Sequence, residues 1–422
     1  MKNLTLKLIL VFSLLYLFSN SSRAQYGWLQ QSSPITDPLG GVCFIDENTG
    51  YAVDAWYGKI LKSTNGGTNW SVDFTYPFGL HKLCFLNKDT GTIIGASGTI
   101  MFTTDGGNTW VLKSGGGSSN LNKIRFVRIN EGISPVGFIV GVNGVFLKTT
   151  NSGYSWVSLN STTNQHLYGV YFANLNTGYI VGQGKVLKTQ NGGSNWTDVS
   201  PGINRTFMGV CFSNPDTGVV VGGNGYFNDG IVLRTINGGN NWQTVLTLSN
   251  QSALQGVCNL GNNIMTAIGN SGMIVRTLDA GATWFIQGSP ASLLMMDVYF
   301  INKDTGWVVG HGGTILKTTT GGFTTNISNY SNNIPDNYKL HQNFPNPFNP
   351  STTIRFDIPN SSHVRITIYN NLGKTVSEVV DENLTPGSYN VNWDAINYTS
   401  GIYFYRIETE EFIDVKKMLL IK

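Results

Sequence analysis

Charged side chains are scarce in this chain of 422 residues: they make up 12% of it, and the formal net charge at pH 7 is only +3. Proteins that bind nucleic acid or anionic membranes do so through clustered Lys and Arg. The near balance of charge therefore argues against both kinds of partner. Apolar residues make up 41% of the chain and glycine contributes 51 residues, a composition typical of a folded, turn-rich β protein.

Cysteine and histidine are also rare. The four cysteines lie in the related segments GVCF, KLCF, GVCF and GVCN, at Cys43, Cys84, Cys211 and Cys258. Equivalent residues of packed sheets lie about 10 Å apart, beyond the roughly 7 Å between Cα atoms that a disulfide tolerates. We therefore predict free thiols between sheets. The five histidines are scattered and lack the spacing of metal ligands, so we expect neither a metal nor a cofactor.

Long apolar runs are confined to the N-terminus. A basic segment, MKNLTLK, precedes the apolar LILVFSLLYLF, and the small residues Ser22 and Ala24 flank Arg23. This order predicts a signal peptide over residues 1–24 and a mature chain beginning at Gln25. No later segment has the 18 or more apolar residues of a membrane span. We therefore expect an exported protein without a transmembrane segment in the mature chain.

The chain has instead a repeat of about 40 to 46 residues, the period of a β-propeller blade. Each copy ends in a short related motif. The seven motifs are STNGGTNW (63–70), TTDGGNTW (103–110), TTNSGYSW (149–156), TQNGGSNW (189–196), TINGGNNW (235–242), TLDAGATW (277–284) and TTTGGFTT (318–325).

One repeat contains four short strands, as residues 169–200 illustrate. GVYF, GYIV, KVLKT and WTDV are rich in β-branched and aromatic residues, and Asn and Gly turns separate them. Four strands joined by hairpins form one antiparallel sheet, and stacking such sheets radially covers both faces of each.

The seventh copy lacks its final tryptophan, and the N-terminus supplies a candidate replacement. YGWLQQSSP (26–34) resembles TWFIQGSPA (283–291), so Trp28 would provide the outer strand that the seventh copy leaves unfinished. We predict an all-β protein in which residues 25–325 form a single seven-bladed β-propeller closed by its N-terminal strand.

The terminal motifs fit the Asp-box pattern. An Asp or Asn oxygen caps backbone N–H groups in such a turn, Gly adopts a left-handed conformation and Trp packs across the next strand. We therefore assign these residues to structural turns without catalytic chemistry. They are Asn65, Asp105, Asn151, Asn191, Asn237 and Asp279.

The repeat resembles those of the photosystem II stability and assembly factor-like propellers. The resemblance lies in the pattern GVxFxNxxTGYxVGxxGxILKTxNGGxxW, as in residues 41–70 and 297–322, and extends over residues 26–325. It implies a propeller fold. Similar repeats occur in sialidases, xyloglucan-hydrolysing tandem propellers and sortilin-type receptors, so the motif indicates the fold and not the activity.

The repeat stops after residue 325. Residues 326–337 are Asn-rich and predict a linker, and residues 338–422 contain alternating strands that predict a small immunoglobulin-like β-sandwich. NFPNPFNPSTTI, GSYNVNWD, SGIYFYRI and the terminal Lys417–Met418 resemble, in this order, the C-terminal sorting domain of the type IX secretion system. The resemblance implies recognition by that machinery, passage through the outer membrane, and attachment to surface lipopolysaccharide or release. The alternative is an ordinary carbohydrate-binding appendage.

Candidate ligand-binding residues lie in loops that depart from the repeat consensus. In a propeller these loops surround the channel on one face, where ligands usually bind, and exposed aromatic side chains are a common means of gripping sugars or peptides. The alternative is that several of these side chains pack beneath loops or plug the channel. The candidates are Trp56, Tyr57, His81, His166, Tyr168, Arg205, Tyr226 and His311.

Enzymatic functions find little support in the sequence. A glycosidase needs two carboxyl groups about 5 to 9 Å apart, and the candidate loops contain only Asp54 and Asp229, which belong to repeats one and five. We assign no catalytic residue and expect a monomeric, non-catalytic binding or assembly module for a protein, peptide or glycan. The alternative is a secreted glycan-active hydrolase of sialidase-like or glycosidase type.

Overall fold

A computed structural model describes residues 27–127, 135–224, 228–249, 252–323, 328–331, 334–395 and 398–422. The signal-peptide prediction for residues 1–24 lies outside this part of the chain. The chain divides into two compact units, of which one is Trp28–Gly321 and the other contains Gly322–Lys422. The described residues form β-strands and four short 3₁₀ helices, which confirms the all-β prediction. No helix in the described part is long and apolar enough to cross a membrane.

Strands β1 to β28 lie in the repeat region. They are β1 (Gly27–Gln30), β2 (Leu39–Phe44), β3 (Gly50–Asp54), β4 (Lys59–Ser63), β5 (Ser71–Thr75), β6 (Leu80–Phe85), β7 (Gly91–Gly95), β8 (Ile100–Thr103), β9 (Val111–Leu112), β10 (Leu121–Val127), β11 (Val136–Gly141), β12 (Phe146–Thr149), β13 (Val157–Ser158), β14 (Leu167–Phe172), β15 (Gly178–Gly182), β16 (Lys185–Thr189), β17 (Thr197–Asp198), β18 (Thr206–Phe212), β19 (Gly218–Asn224), β20 (Asn228–Thr235), β21 (Gln243–Leu248), β22 (Leu254–Gly261), β23 (Ile264–Gly269), β24 (Ile274–Thr277), β25 (Phe285–Gln287), β26 (Met295–Phe300), β27 (Gly306–Gly310) and β28 (Ile315–Gly322). The 3₁₀ helices are Ala96–Gly98, Val142–Gly144, Asn270–Gly272 and His311–Gly313.

These strands form seven four-stranded sheets, one per repeat. Sheets 1 to 6 take their strands consecutively: β2–β5, β6–β9, β10–β13, β14–β17, β18–β21 and β22–β25. Sheet 7 has the order β26, β27, β28 and β1, so its outer strand comes from the other end of the repeat region. Neighbouring strands within each repeat pair in antiparallel fashion, as the hairpin turns of the sequence require.

Each repeat folds this way because its apolar residues lie where two sheets meet. In repeat 4 the second strand, β15, is buried along its whole length, and the short outer strand β17 is exposed. The Phe that ends the first strand packs edge to face against the Trp of the terminal motif. Phe44 contacts Trp70 in repeat 1 and Phe85 contacts Trp110 in repeat 2, with ring centroids 5.7 and 6.0 Å apart.

The first strands of the seven sheets contact one another in sequence order: β2 packs on β6, β6 on β10, β10 on β14, β14 on β18, β18 on β22 and β22 on β26. A further contact, between β26 and β2, joins sheet 7 to sheet 1. Aromatic residues pack against each other where neighbouring sheets meet. Trp307 of sheet 7 stacks on Phe44 of sheet 1 at 3.5 Å between ring centroids, and Phe138 of sheet 3 stacks on Phe172 of sheet 4 at 3.6 Å.

Trp28 is fully buried in sheet 7. Its indole N–H donates to Gln287 Oε1 at 3.0 Å, and its ring meets Phe300 edge to face at 5.7 Å. The Gln287 amide in turn donates to the Gly321 carbonyl at 2.7 Å. The N-terminal strand is therefore held by side chains of both sheet 6 and sheet 7.

The second unit contains two four-stranded sheets. Their strands are β29 (Ser328–Ser331), β30 (Lys339–Leu340), β31 (Ser351–Ile358), β32 (Ser362–Asn370), β33 (Thr375–Leu384), β34 (Gly387–Asp394), β35 (Gly401–Glu408) and β36 (Ile413–Leu420). The orders are β29-β34-β31-β30 and β33-β32-β35-β36, and the two sheets share one hydrophobic core that includes Phe356, Val391, Ile366 and Tyr405.

Part of the predicted linker, residues 326–337, forms a β-strand. Residues 328–331 form strand β29, which pairs in antiparallel fashion with β34. The Asn- and Ser-rich sequence has little intrinsic preference for strands, so backbone pairing with the edge of β34 accounts for this element better than local propensity does.

The four cysteines are free thiols, which confirms the prediction that they form no disulfide. Cys43 and Cys211 are buried, and burial raises the pKa of both thiols. Burial also raises the pKa of Cys258 to about 12. The thiolate is the reactive form, so burial disfavours reaction at Cys43, Cys211 and Cys258.

Candidate functional site

The terminal motifs form one hydrogen-bonded turn that recurs in six repeats. In repeat 2, the Thr103 hydroxyl donates to Asp105 Oδ1 at 2.7 Å and accepts from the Gly107 N–H at 2.9 Å. Asp105 Oδ1 also accepts from the Thr109 N–H at 2.9 Å. Asp105 Oδ2 accepts from the Thr109 hydroxyl, whereas in repeat 3 the Asn151 amide donates to the Ser155 hydroxyl. In the other five copies the equivalent side-chain oxygen also accepts from the backbone N–H of the residue four positions later. The accepting residues are Asn65, Asn151, Asn191, Asn237 and Asp279.

These turns also receive side chains from the preceding sheet. Lys148 Nζ donates to the Gly192 carbonyl at 2.8 Å, and Lys188 Nζ donates to the Gly238 carbonyl at 2.6 Å. Arg234 Nε donates to the Ala280 carbonyl at 2.8 Å. The turn oxygens are therefore engaged in joining one sheet to the next.

The loop between β3 and β4 differs from its counterparts. The first repeat has Asp54 where the other six have glycine at the end of the second strand, and this loop is one residue longer than the equivalent loop of repeat 2. Asp54 is fully buried, and its Oδ1 accepts from the N–H groups of Trp56 at 2.8 Å and Tyr57 at 3.2 Å. The carboxylate thus fixes a turn that presents two aromatic side chains, each 59% exposed.

Three of the predicted candidates, Trp56, Tyr57 and His311, lie together. The Trp56 ring meets the His311 ring of sheet 7 edge to face, with centroids 6.1 Å apart. His311 begins the 3₁₀ helix His311–Gly313, and its N–H donates to the Leu294 carbonyl at 2.9 Å. Burial lowers the pKa of His311, which favours the neutral imidazole. The exposed Leu293 packs over Gly312 and extends this apolar surface.

We call the surface formed by Trp56, Tyr57, His311 and Leu293 the aromatic rim. Tyr57 is flanked by Lys59, whose ammonium lies 5.8 Å from the ring centroid and pairs with Asp37 at 2.7 Å. The rim therefore combines two exposed aromatic faces with polar groups at its border.

The other candidates are dispersed. His166 and Tyr168 form a second pair with ring centroids 6.4 Å apart, and His166 Nδ1 accepts from the Asn143 N–H at 3.1 Å. His81 Nδ1 lies 2.8 Å from the Leu121 carbonyl, so this ring is tied to the scaffold, and burial lowers its pKa. Arg205 is partly exposed and its carbonyl accepts from the Gly184 N–H. Tyr226 lies outside the described residues.

Charged residues of the first strands form a cluster that the sequence analysis did not predict. Each first strand has a register shift, and the residue that follows it occupies the same place in all seven sheets. We call these seven the post-bulge residues. They are Gly41, Lys82, Lys123, Gly169, Gly209, Gly256 and Asp297.

Lys82 and Lys123 both approach Asp297 Oδ1, at 3.3 and 3.2 Å. Burial alone would raise the pKa of Asp297. The two ammonium groups outweigh this effect and hold the pKa below its usual value. Burial lowers the pKa of Lys82 to about 8, against the opposing effect of Asp297. The sequence carried a signal for this cluster, since three repeats place a charged residue where four have glycine.

The two loop carboxylates considered for a hydrolase are far from equivalent. Asp54 is buried beneath its own loop, whereas Asp229 is exposed in β20 of sheet 5. Among the described residues, no group of three His, Cys, Asp or Glu side chains could hold a metal ion.

Comparison with known proteins identifies relatives of both units. The family described as photosynthesis system II assembly factor YCF48 matches residues 75–164 and 150–292, together just over half of the chain. The secretion system C-terminal sorting domain matches residues 342–422. No curated protein sequence matches the chain.

Solved structures show the same fold. YCF48 bound to D1 peptide aligns with a TM-score of 0.56 at 18% identity and covers 70% of this chain and 97% of its own. YCF48 from Cyanidioschyzon merolae aligns with a TM-score of 0.55 at 16% identity, covering 70% of this chain and 98% of its own.

A third structure is PorZ, an essential bacterial surface component of the type IX secretion system of Porphyromonas gingivalis. It aligns with a TM-score of 0.54 at 13% identity and covers 93% of this chain and 60% of PorZ. The sorting domain indicates export through the type IX system to the cell surface or the extracellular space, as the sequence predicted. The chain belongs to the YCF48 family of photosynthesis system II assembly factor-like repeat proteins, and it carries a C-terminal sorting domain of the type IX secretion system.

Proposed function

We propose that residues 25–325 form a single seven-bladed β-propeller closed by the N-terminal strand, and that residues 338–422 form an immunoglobulin-like sandwich. Seven four-stranded sheets, the consecutive contacts of their first strands and the β26–β2 contact support the first part. Two sheets around one core support the second.

The propeller acts as a non-catalytic binding or assembly module at the cell surface or outside the cell, for a protein, peptide or glycan. The observation that carries this proposal is the aromatic rim. Contiguous exposed apolar patches on soluble proteins commonly mark interaction sites, and here a buried carboxylate, Asp54, holds Trp56 and Tyr57 in their exposed positions. Surface placement of PorZ and peptide binding by YCF48 are consistent with such a module.

A glycan-active hydrolase is the less favoured reading of the same geometry. Hydrolysis of a glycosidic bond needs two carboxyl groups on either side of it. Asp54 already caps the loop with Oδ1, and the rim offers no second carboxylate except Asp37, which is paired with Lys59.

The binding proposal is tested with the full chain on a glycan array and in a pull-down from the surface of the producing cells. Trp56→Ala should abolish capture of the partner and leave folding intact, because the side chain is exposed. Tyr154→Ala is the matched control, since Tyr154 is 54% exposed in a terminal turn of repeat 3. Equal capture by both variants would place the binding surface elsewhere.

The type IX machinery should recognise the second unit as a sorting signal through contacts with residues 338–422. Removing those residues should leave a folded repeat domain in the periplasm, detected by cell fractionation and protease accessibility. Unchanged surface display of the shortened protein would contradict this role.

A further inference from the structure

The post-bulge residues place an unbalanced charge at the centre of the larger unit. Lys123 belongs to sheet 3 and Asp297 to sheet 7, yet their charged groups lie 3.2 Å apart. The first strands must therefore surround a common centre into which both side chains extend. At this level four of the seven sheets contribute only glycine.

Lys82 is fully engaged in holding the sheets together. Its ammonium donates to the Gly40 carbonyl of sheet 1 at 2.5 Å and the Met296 carbonyl of sheet 7 at 2.8 Å, and it lies 3.3 Å from Asp297 Oδ1. An ammonium group has three N–H donors. These three acceptors account for all of them, so Lys82 has no donor left for a ligand.

Lys123 has donors to spare. Within the described residues its ammonium has one partner, Asp297 Oδ1, and its side chain is 31% exposed. Asp297 is shared between both lysines and also accepts from the Val42 N–H at 3.3 Å through Oδ2. Two N–H groups of Lys123 therefore have no protein acceptor among the described residues, and they lie on the solvent-accessible side of a mostly buried cluster.

The charges do not cancel. Two ammonium groups share one carboxylate, which leaves one positive charge, and no other post-bulge residue is acidic. The net positive charge at this cluster favours a negatively charged ligand. An anion that accepts the open donors of Lys123 would remove the imbalance through charge-assisted hydrogen bonds.

We propose that the Lys123–Lys82–Asp297 cluster is a binding site for one small carboxylate anion, with Lys123 as the residue that contacts it. The site shares no residue with the aromatic rim and does not depend on the function proposed for that rim. Lys82 and Asp297 act as positioning residues, because they hold the Lys123 ammonium at the centre and supply the charge that surrounds it.

The proposal predicts a specific pH dependence. Burial lowers the pKa of Lys82 to about 8, so a rise in pH through this value should neutralise Lys82 and remove the net positive charge of the cluster. The other titratable groups that face the cluster are His81 beside Lys82, and Cys43 and Cys258 beside Asp297, and burial disfavours the charged form of each. Binding should therefore weaken between pH 7 and pH 9.

Acetate is a suitable probe. The melting temperature of the full chain is measured at pH 7 against acetate concentration, with chloride at equal ionic strength as the reference. We expect a saturable increase with acetate in the millimolar range and no saturable increase with chloride. A response that acetate and chloride share would overturn the proposal, because it would reflect screening alone.

Variants locate the site. Lys123→Met should weaken acetate binding at least about tenfold, the loss expected for charge-assisted hydrogen bonds, whereas Lys123→Arg should retain it. Lys185→Met is the matched control, since Lys185 pairs with Asp198 on an exposed strand of sheet 4. If Lys123→Met unfolds, Lys123→Gly replaces it, because four sheets have glycine at this position. Undiminished binding by the folded variant, or equal binding at pH 7 and pH 9, would refute the assignment.

Discussion

At the residue scale, the terminal turns could be predicted from the sequence because their bonds are local. Thr103, Asp105 and Thr109 lie within seven residues, so spacing alone indicates the turn. The charged cluster could not be predicted in the same way. Its partners are separated by more than 170 residues, and only the fold brings them together. The substitution of Lys or Asp for glycine marks those positions as unusual but does not name their partners.

Repeat 3 stores strain that a single substitution should relieve. Ser152 has a φ of 61°, at a position where five other copies have glycine. A left-handed conformation costs a non-glycine residue roughly 1 to 2 kcal/mol. Ser152→Gly should therefore stabilise the fold by about 0.5 to 1 kcal/mol after the entropy of glycine is deducted, as measured by the urea midpoint. Gly106→Ala, at a φ of 71°, should move the midpoint in the opposite direction.

Asp105 should make the protein sensitive to acid. Hydrogen bonds from Thr109 and Thr103 lower the pKa of its carboxyl group from 3.8 to about 2. A carboxyl whose pKa is depressed in the folded state contributes stability above its unfolded pKa and loses it as the pH falls through the folded value. Asp105→Asn should therefore reduce the decline in melting temperature between pH 4 and pH 2. The variant would contradict this account if it declined as steeply as the original chain.

At the element scale, the repeat pattern predicted the strands of the larger unit. The features that differ from this pattern depend on tertiary contacts. Strand β29 forms in an Asn- and Ser-rich segment because β34 offers backbone partners. The β3–β4 loop departs for a reason visible in the sequence, since Asp54 replaces a glycine and the loop is longer. What the sequence did not reveal is that Asp54 is buried and acts on the backbone of the loop.

Asp54→Ala should release this loop. The change removes the acceptor of two backbone N–H groups, and caps of this kind contribute about 1 kcal/mol. Hydrogen exchange of the Trp56 and Tyr57 amides should accelerate severalfold, while exchange in β15 of sheet 4 should not change. Asp54→Asn keeps an acceptor oxygen and should restore most of the protection. Protection in the alanine variant equal to that of the original chain would show that the loop is held by other contacts.

At the scale of the whole molecule, sheet 7 takes its outer strand from the far end of the repeat region. The sequence predicted this because a missing Trp in the seventh copy has its counterpart near the N-terminus. It could not predict Gln287, which bonds both Trp28 and the Gly321 carbonyl and thereby ties the incoming strand to sheets 6 and 7. A glutamine at the end of an outer strand has no local feature that reveals this role.

Trp28→Ala should cost about 3 to 5 kcal/mol of unfolding free energy, the usual loss for a buried tryptophan. The matched control is Trp70→Ala in sheet 1, where the tryptophan is also buried but the whole sheet comes from continuous chain. Both variants lose a similar ring, so a similar equilibrium cost is expected from packing. Only Trp28→Ala weakens the N-terminal strand that completes sheet 7. This variant should therefore also raise the unfolding rate more than Trp70→Ala does. Tryptophan fluorescence in urea reports mainly on this unit, because Trp393 is the sole tryptophan after residue 322. If Trp28→Ala cost less than about 1 kcal/mol, the N-terminal strand would contribute little to the fold, and the junction between sheets 7 and 1 would rest on the β26–β2 contact and the Lys82–Asp297 pair.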